Sequence, residues 1–186
     1  VLVAHQPAYL PWPGFFSRLA DVNRLVLLDH VQYTEGGWQN RNFVSDRRGT
    51  PIRMTVPVRR GFGQRLHDVR IAEATWARRH WRTLVQSYGR TRFWPRWEDR
   101  LHAIYHQPWQ RLVYLNEALI HLLLEGFGMK VRVLRSSTLG LGNAKTQMLI
   151  ELCRQTQTRV LRVGTGAARY LNATELTAAG IEVEIA

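Results

Sequence analysis

The sequence predicts an α/β fold: a parallel sheet carrying an inserted β-hairpin and a helical segment. Three observations carry that reading. Short apolar runs recur at both ends of the chain, glycine- or proline-rich turns follow them, and segments of helical periodicity separate them. The 186 residues suit one ordinary domain, so residues 1–186 are expected to form a single α/β domain with a β-rich insertion at 30–72 and a helical segment at 76–127.

Val1 to Ala4 reads as a buried strand, and His5 to Pro13 as a loop stiffened by Pro7, Pro11 and Pro13, each of which fixes φ and removes a donor. A helix is expected from Gly14 to about Ala20, and a second strand from Arg24 to Leu28. Strand, loop, helix and strand within about 30 residues is the size of a βαβ unit. Glycines at 36–37, 49, 61 and 63 then punctuate β-type stretches at Trp38 to Val44 and Ile52 to Val58, which read as a hairpin. Helical spacing follows at Trp76 to Tyr88, Pro95 to Tyr105 and Trp109 to Phe127; in the last, Leu112, Leu115, Leu119, Leu122 and Leu123 share a face. The alternation then returns. Val131 to Leu134, Arg159 to Val163 and Ile181 to Ile185 read as strands, Ala144 to Gln155 as a helix, and a glycine turn with a helical stretch follows Val163. Five parallel strands with helices between them make the expected fold Rossmann-like.

Hydrophobic residues at 45% and charged residues at 22% describe a packed chain and exclude a disordered or collagenous one. The net charge is +12, and every basic residue except Lys130 and Lys145 is arginine. Guanidinium groups suit phosphates and carboxylates, although arginine-rich composition also arises on plain solvated surfaces. The lone Cys153 excludes an internal disulfide and favours a reducing, cytoplasmic setting. No apolar run approaches the roughly 18 residues of a membrane span, and the first residues lack the pattern of a signal peptide.

Ligands of open parallel sheets bind beyond the carboxyl ends of the strands, which selects three loops. The first holds His5, Gln6, Tyr9, Trp12 and Gly14, where the imidazole suits acid–base work or phosphate donation. Loop bonding alone accounts for such a histidine equally well. The second holds Asp29, Gln32 and Tyr33, then Trp38, Asn40, Arg41 and Asn42; Arg41 suits an anion, and the amides either orient a polar ligand or brace turns. The third is Gly164, Thr165 and Gly166 with Arg169 and Tyr170, where glycine permits close backbone approach, as it also does in any tight turn. Glu98, His102 and His106 at four-residue spacing read better as a solvated helix face than as metal ligands. Cys153 reads as a packed thiol, and Arg78, Arg79 and Arg82 beside Trp76 and Trp81 as solvated charges along a core face.

The run His5-Gln6-Pro7, Tyr9-Leu10-Pro11-Trp12 and Gly14-Phe15-Phe16, continuing to Asp29, Val31-Gln32-Tyr33, Trp38 and Asn40-Arg41-Asn42, resembles the opening signature of the WbqC-like family. The likeness continues through Thr55-Val56-Pro57-Val58, Trp76, His80, Tyr88, Asn116 and the Gly164 to Leu171 segment. Members are associated with O-antigen, capsule and natural-product gene clusters. The resemblance therefore implies a biosynthetic transferase for sugars or small metabolites, with His5, Asp29, Tyr33 and His80 as catalytic candidates. Where the family commonly has a serine before the late glycine, this chain has Val163. A looser likeness joins the first loop to HIGH-type nucleotidyltransferases, although no second histidine follows His5 within it.

Three functions compete on these grounds. The first moves an activated acyl or aminoacyl group from a nucleotide or aminoacyl-tRNA to an amino sugar or small-molecule acceptor. The second is nucleotidyl transfer from a nucleoside triphosphate, which alone would call for Mg2+. The third is a non-enzymatic RNA-binding protein. No other cofactor and no membrane partner is implied.

Overall fold

The computed structural model describes residues 1–59, 61–73, 75–142, 145–168 and 171–186. Its contacts group into two compact units. The first comprises Val1–Gln6, Trp12–His30 and Leu124–Ala186, and the second Pro7–Pro11 and Val31–Leu123.

The first unit is built on a five-stranded sheet of β1 (Leu2–His5), β2 (Arg24–Leu27), β5 (Arg132–Arg135), β6 (Val160–Val163) and β7 (Glu182–Ile185). Every pairing is parallel, in the order β5-β2-β1-β6-β7. The expected Rossmann-like architecture is therefore present. Leu2, Leu25, Val26, Leu27 and Leu161 are fully buried, as strands covered on both faces require. Each such side chain contributes roughly 1.5–3 kcal/mol of transfer free energy. Helix α1 (Pro13–Ser17) opens with proline at its first position, where the missing N–H costs no hydrogen bond. It is shorter than expected because past Ser17 the bonding tightens to three-residue turns, Leu19 N–H to Phe16 and Ala20 N–H to Ser17, before Asp21 turns at a φ of 58°. Helices α5 (Lys145–Gln155), α6 (Thr165–Ala168) and α7 (Ala173–Ala178) complete the connections; Asn172 caps α7 by accepting from the Glu175 amide. Cys153 is buried in α5 and its thiol is pushed up to about 11, so it is an inert packed group.

The second unit pairs β3 (Arg41–Ser45) with β4 (Pro51–Thr55) as an antiparallel hairpin. Helices α2 (Thr75–Tyr88), α3 (Glu98–His106) and most of α4 (Leu112–Gly126) belong to the same unit. Trp76, His80, Leu84 and Ser87 recur on the buried face of α2 at helical spacing. They join a core with Tyr9, Tyr33, Leu112, Leu115 and Leu119. The helix expected from Pro95 begins instead with a 3-10 turn at Trp94–Arg96, and α3 starts at Glu98. Trp76 and Trp81 pack as core, the former 2% exposed. His102 and His106 stack on each other with ring centroids 3.7 Å apart. No described helix is long and apolar enough to cross a membrane.

Candidate functional site

The strand order reverses at β1: the chain runs outward through β2 and β5, then returns to place β6 on the other side. That is the topological switch point at which open α/β sheets bind ligands. A cavity of about 380 Å³ lies there, lined by Ala4, His5, Gln6, Trp12, Arg18, Leu28, Gly164 and Gly166. The first and third sequence-predicted loops thus share one pocket.

His5 ends β1, and its ring packs edge-on against Phe15 at 5.0 Å and Trp12 at 5.8 Å. Its Nδ1 lies 2.7 Å from the Gln6 carbonyl oxygen. A carbonyl only accepts, so Nδ1 carries the proton and Nε2 keeps its lone pair. Among the described residues nothing bonds Nε2. Burial lowers the His5 pKa below 6.5; the Gln6 bond opposes this and the nearby Arg18 charge reinforces it. The ring is therefore a neutral base at pH 7.

Arg18, absent from the sequence prediction, supplies the positive charge. Its guanidinium lies 2.8 Å from where a Cβ on Gly164 would stand, so it fills the space that glycine leaves. Its backbone is held by Arg162 of β6, whose Nη1 donates to the carbonyls of Arg18 (3.1 Å) and Ala20 (2.6 Å) while Nε pairs with Glu184 at 2.7 Å. Only this long-range geometry marks Arg18; nothing local in the sequence sets it apart from the other arginines. Gly14 lies under the Trp12 indole, outside the pocket lining, and Thr165 is exposed and also outside it. Arg169 and Tyr170 lie outside the described residues.

Asp29, just past β2, is fully buried. Its Oδ1 accepts from Ser136 Oγ (3.0 Å) and the Ser137 amide (2.8 Å), and its Oδ2 from Ser137 Oγ (2.6 Å). Ser136 Oγ in turn accepts from the Asp29 amide and from the His30 ring at 2.5 Å. This network ties the ends of β2 and β5 together. The two serines sit at adjacent positions after the strand partner of β2, a juxtaposition that no local pattern announces.

The remaining candidates belong to the second unit. Tyr9 is fully buried, with its hydroxyl 2.7 Å from His80 Nδ1 and 2.6 Å from the Tyr105 hydroxyl. The His80 ring also bonds the Thr55 backbone, and burial, aided by Arg79, lowers its pKa to about 4. A backbone acceptor fixes the ring proton there, so Nδ1 accepts from Tyr9, and Tyr105 donates to the Tyr9 oxygen. Both tyrosines are raised above 10, chiefly by burial. Tyr33, 8% exposed, packs in the same core. Asn40 donates to the Val56 carbonyl at 3.0 Å, and Asn42 to those of Leu10 (2.6 Å) and Tyr9 (3.3 Å), so both brace backbone. Asn116, fully buried, donates likewise to Pro7 and Gln39. Arg41 bonds the Gly36 carbonyl, Gln32 is exposed and bridges to Arg65, and Trp38 is half-exposed beside Phe43.

Arginines also gather elsewhere in this unit. Arg59 and Arg70 line a groove of about 490 Å³, and Arg70 forms an isolated antiparallel bridge with Arg111 outside the strands. The Arg111 charge is met by Asp68 at 3.3 Å, and its Nη1 also donates to the His67 carbonyl at 2.8 Å.

A parallel α/β sheet with a pocket lined by His5 and Arg18 at its switch point places the chain in the Rossmann-like fold class. The sequence pattern of the WbqC-like protein family matches residues 6–186, and the chain belongs to that family. It is similar to the uncharacterized protein Rv1507c of Mycobacterium tuberculosis (strain ATCC 25618 / H37Rv), at 30% identity over 169 residues, covering 90% of this chain and 73% of that protein. No solved structure matches.

Proposed function

We infer that the switch-point pocket is the active site of a biosynthetic transferase, moving an acyl or aminoacyl group from an anionic carrier to an amine of a sugar or small molecule. The carrying observation is His5, whose Nδ1 is committed to Gln6 while Nε2 remains available beside the Arg18 guanidinium. In this reading Arg18 holds a phosphate of the carrier, nucleotide or tRNA, through charge-assisted hydrogen bonds. The acceptor amine attacks the acyl carbonyl, and Nε2 takes the proton that the new C–N bond releases. The resulting imidazolium returns it to the departing carrier oxygen, so the products are an amide and the free carrier, a hydroxyl where the acyl was an ester on tRNA and a phosphate where it was carried on a nucleotide phosphate. Asp29, with Ser136 and Ser137, fixes the neighbouring strand ends and acts as a positioning group.

Native mass spectrometry of freshly purified protein, with its ultraviolet absorbance ratio, tests the reading. A co-purifying nucleotide or RNA that is lost in Arg18→Ala supports it; a ligand equally retained by Arg18→Ala and His5→Ala contradicts it. The RNA-binding reading rests on other residues, Arg59 and Arg70. It requires affinity that falls steeply with salt, with a slope that shrinks in Arg59→Glu and Arg70→Glu.

A further inference from the structure

The second unit contains a cavity that the transferase reading leaves unused. It has a volume of about 330 Å³, at the lower end of the roughly 300–1,000 Å³ of small-molecule sites. Leu84, Trp94 and Leu101 form buried parts of its lining, while Phe43 and Phe93, 48% and 64% exposed, stand where it opens. Aromatic surface left in water at the mouth of an apolar cavity is a recognition feature more than a packing one.

Two further observations bear on what it holds. Leu10 and Pro11 form part of the wall, and Leu10 adopts a φ of +43°, costly for a non-glycine residue. Asn42 holds that conformation by donating to the Leu10 carbonyl, so the wall is set without a ligand. Of the two lining hydroxyls, Thr91 spends its hydrogen on the Tyr88 carbonyl at 2.7 Å, which leaves Tyr88 as the donor. Tyr88 lines the cavity and accepts from the Ser45 amide, which leaves its hydroxyl hydrogen for another acceptor. Arg92 places its guanidinium carbon 5.4 Å from the centre of the Phe93 ring, bringing positive charge to the rim.

We propose that this cavity binds a small amphiphilic anion, a medium-length acyl or alkyl chain inside and a carboxylate or phosphate head toward Arg92 and Tyr88. Apolar walls take the chain, and the rim recognises an acceptor of negative charge. The site is independent of the His5 pocket, so either reading can fail alone.

Decanoate, decyl phosphate and decanol serve as probes, titrated against the full chain by calorimetry and by the emission of Trp94 and Trp97, which line the cavity. Both anions should bind, decanol more weakly. Arg92→Glu, an exposed change, should weaken decanoate about tenfold and leave decanol within about twofold. Val44→Phe, which fills part of the cavity, should weaken all three. Should that variant not fold, Arg92→Glu decides alone. The proposal is overturned if wild-type protein binds neither anion, or if Arg92→Glu weakens decanol as much as decanoate.

Discussion

Two histidines, one in each unit, show how the same residue type keeps a ring nitrogen open at a cavity in one place and is spent on the core in another. His5 and His80 are both neutral at pH 7, and burial is the leading cause in each. They differ in what their nitrogens do. His80 spends both, on Tyr9 and on the Thr55 backbone, and is 7% exposed in an aromatic core. His5 spends one, on Gln6, and lines a cavity beside a guanidinium. A histidine is open to acid–base work when its ring keeps an unshared lone pair at a cavity wall and its pKa leaves that nitrogen unprotonated.

Removing each ring separates these roles. His5→Ala should lower acyl transfer by about 10²–10⁴-fold, the usual range for loss of a general base, with the melting transition nearly unchanged. A His5→Ala enzyme with full turnover would end the distinction. His80 should instead act on stability. Its folded pKa of about 4 lies below the ordinary 6.5, so the unfolded chain binds the proton more readily between those values. Stability from this group is present above pH 6.5 and is lost as the pH falls to 4, by about 3 kcal/mol in all. Denaturant titrations at pH 7 and pH 4 should show that component in the wild type and not in His80→Asn.

Smaller effects sharpen the contrast. Tyr9→Phe strips His80 Nδ1 and the Tyr105 hydroxyl of a buried partner and should cost roughly 1–3 kcal/mol, read by urea unfolding. Gly164→Ala should change stability by less than about 1 kcal/mol while pushing Arg18 aside. Phosphate or nucleotide affinity, measured by calorimetry, should then drop several-fold.

The sheet was legible because each strand is a short apolar run followed by a turn and a helix, a pattern local enough to read. The site was legible in part. His5 and Gly164 follow from the rule that loops after parallel strands carry ligands. Arg18, Ser136, Ser137 and Tyr105 were not readable, because their roles depend on partners far away in the chain, such as Gly164 for Arg18 and Asp29 for the serines. Asn40 and Asn42 look like ligand-orienting amides in the sequence. Buried amides need partners, and here those are carbonyls of neighbouring segments. The trailing Trp38 illustrates the same limit: it falls before β3, after the Gly36–Gly37 turn, and its carbonyl accepts from the Tyr9 amide.

The most direct measurement is ¹⁵N ring spectroscopy of the histidines across pH, assigned with His5→Gln and His80→Asn, without and with a nucleoside monophosphate. His5 should appear as the Nδ1–H tautomer and His80 as the Nε2–H tautomer, both titrating below 6.5. The nucleotide should raise the pKa of His5 and leave His80 unmoved. An Nε2–H tautomer at His5, or a nucleotide that leaves its titration unchanged, would contradict the assignment of this pocket as the site of chemistry.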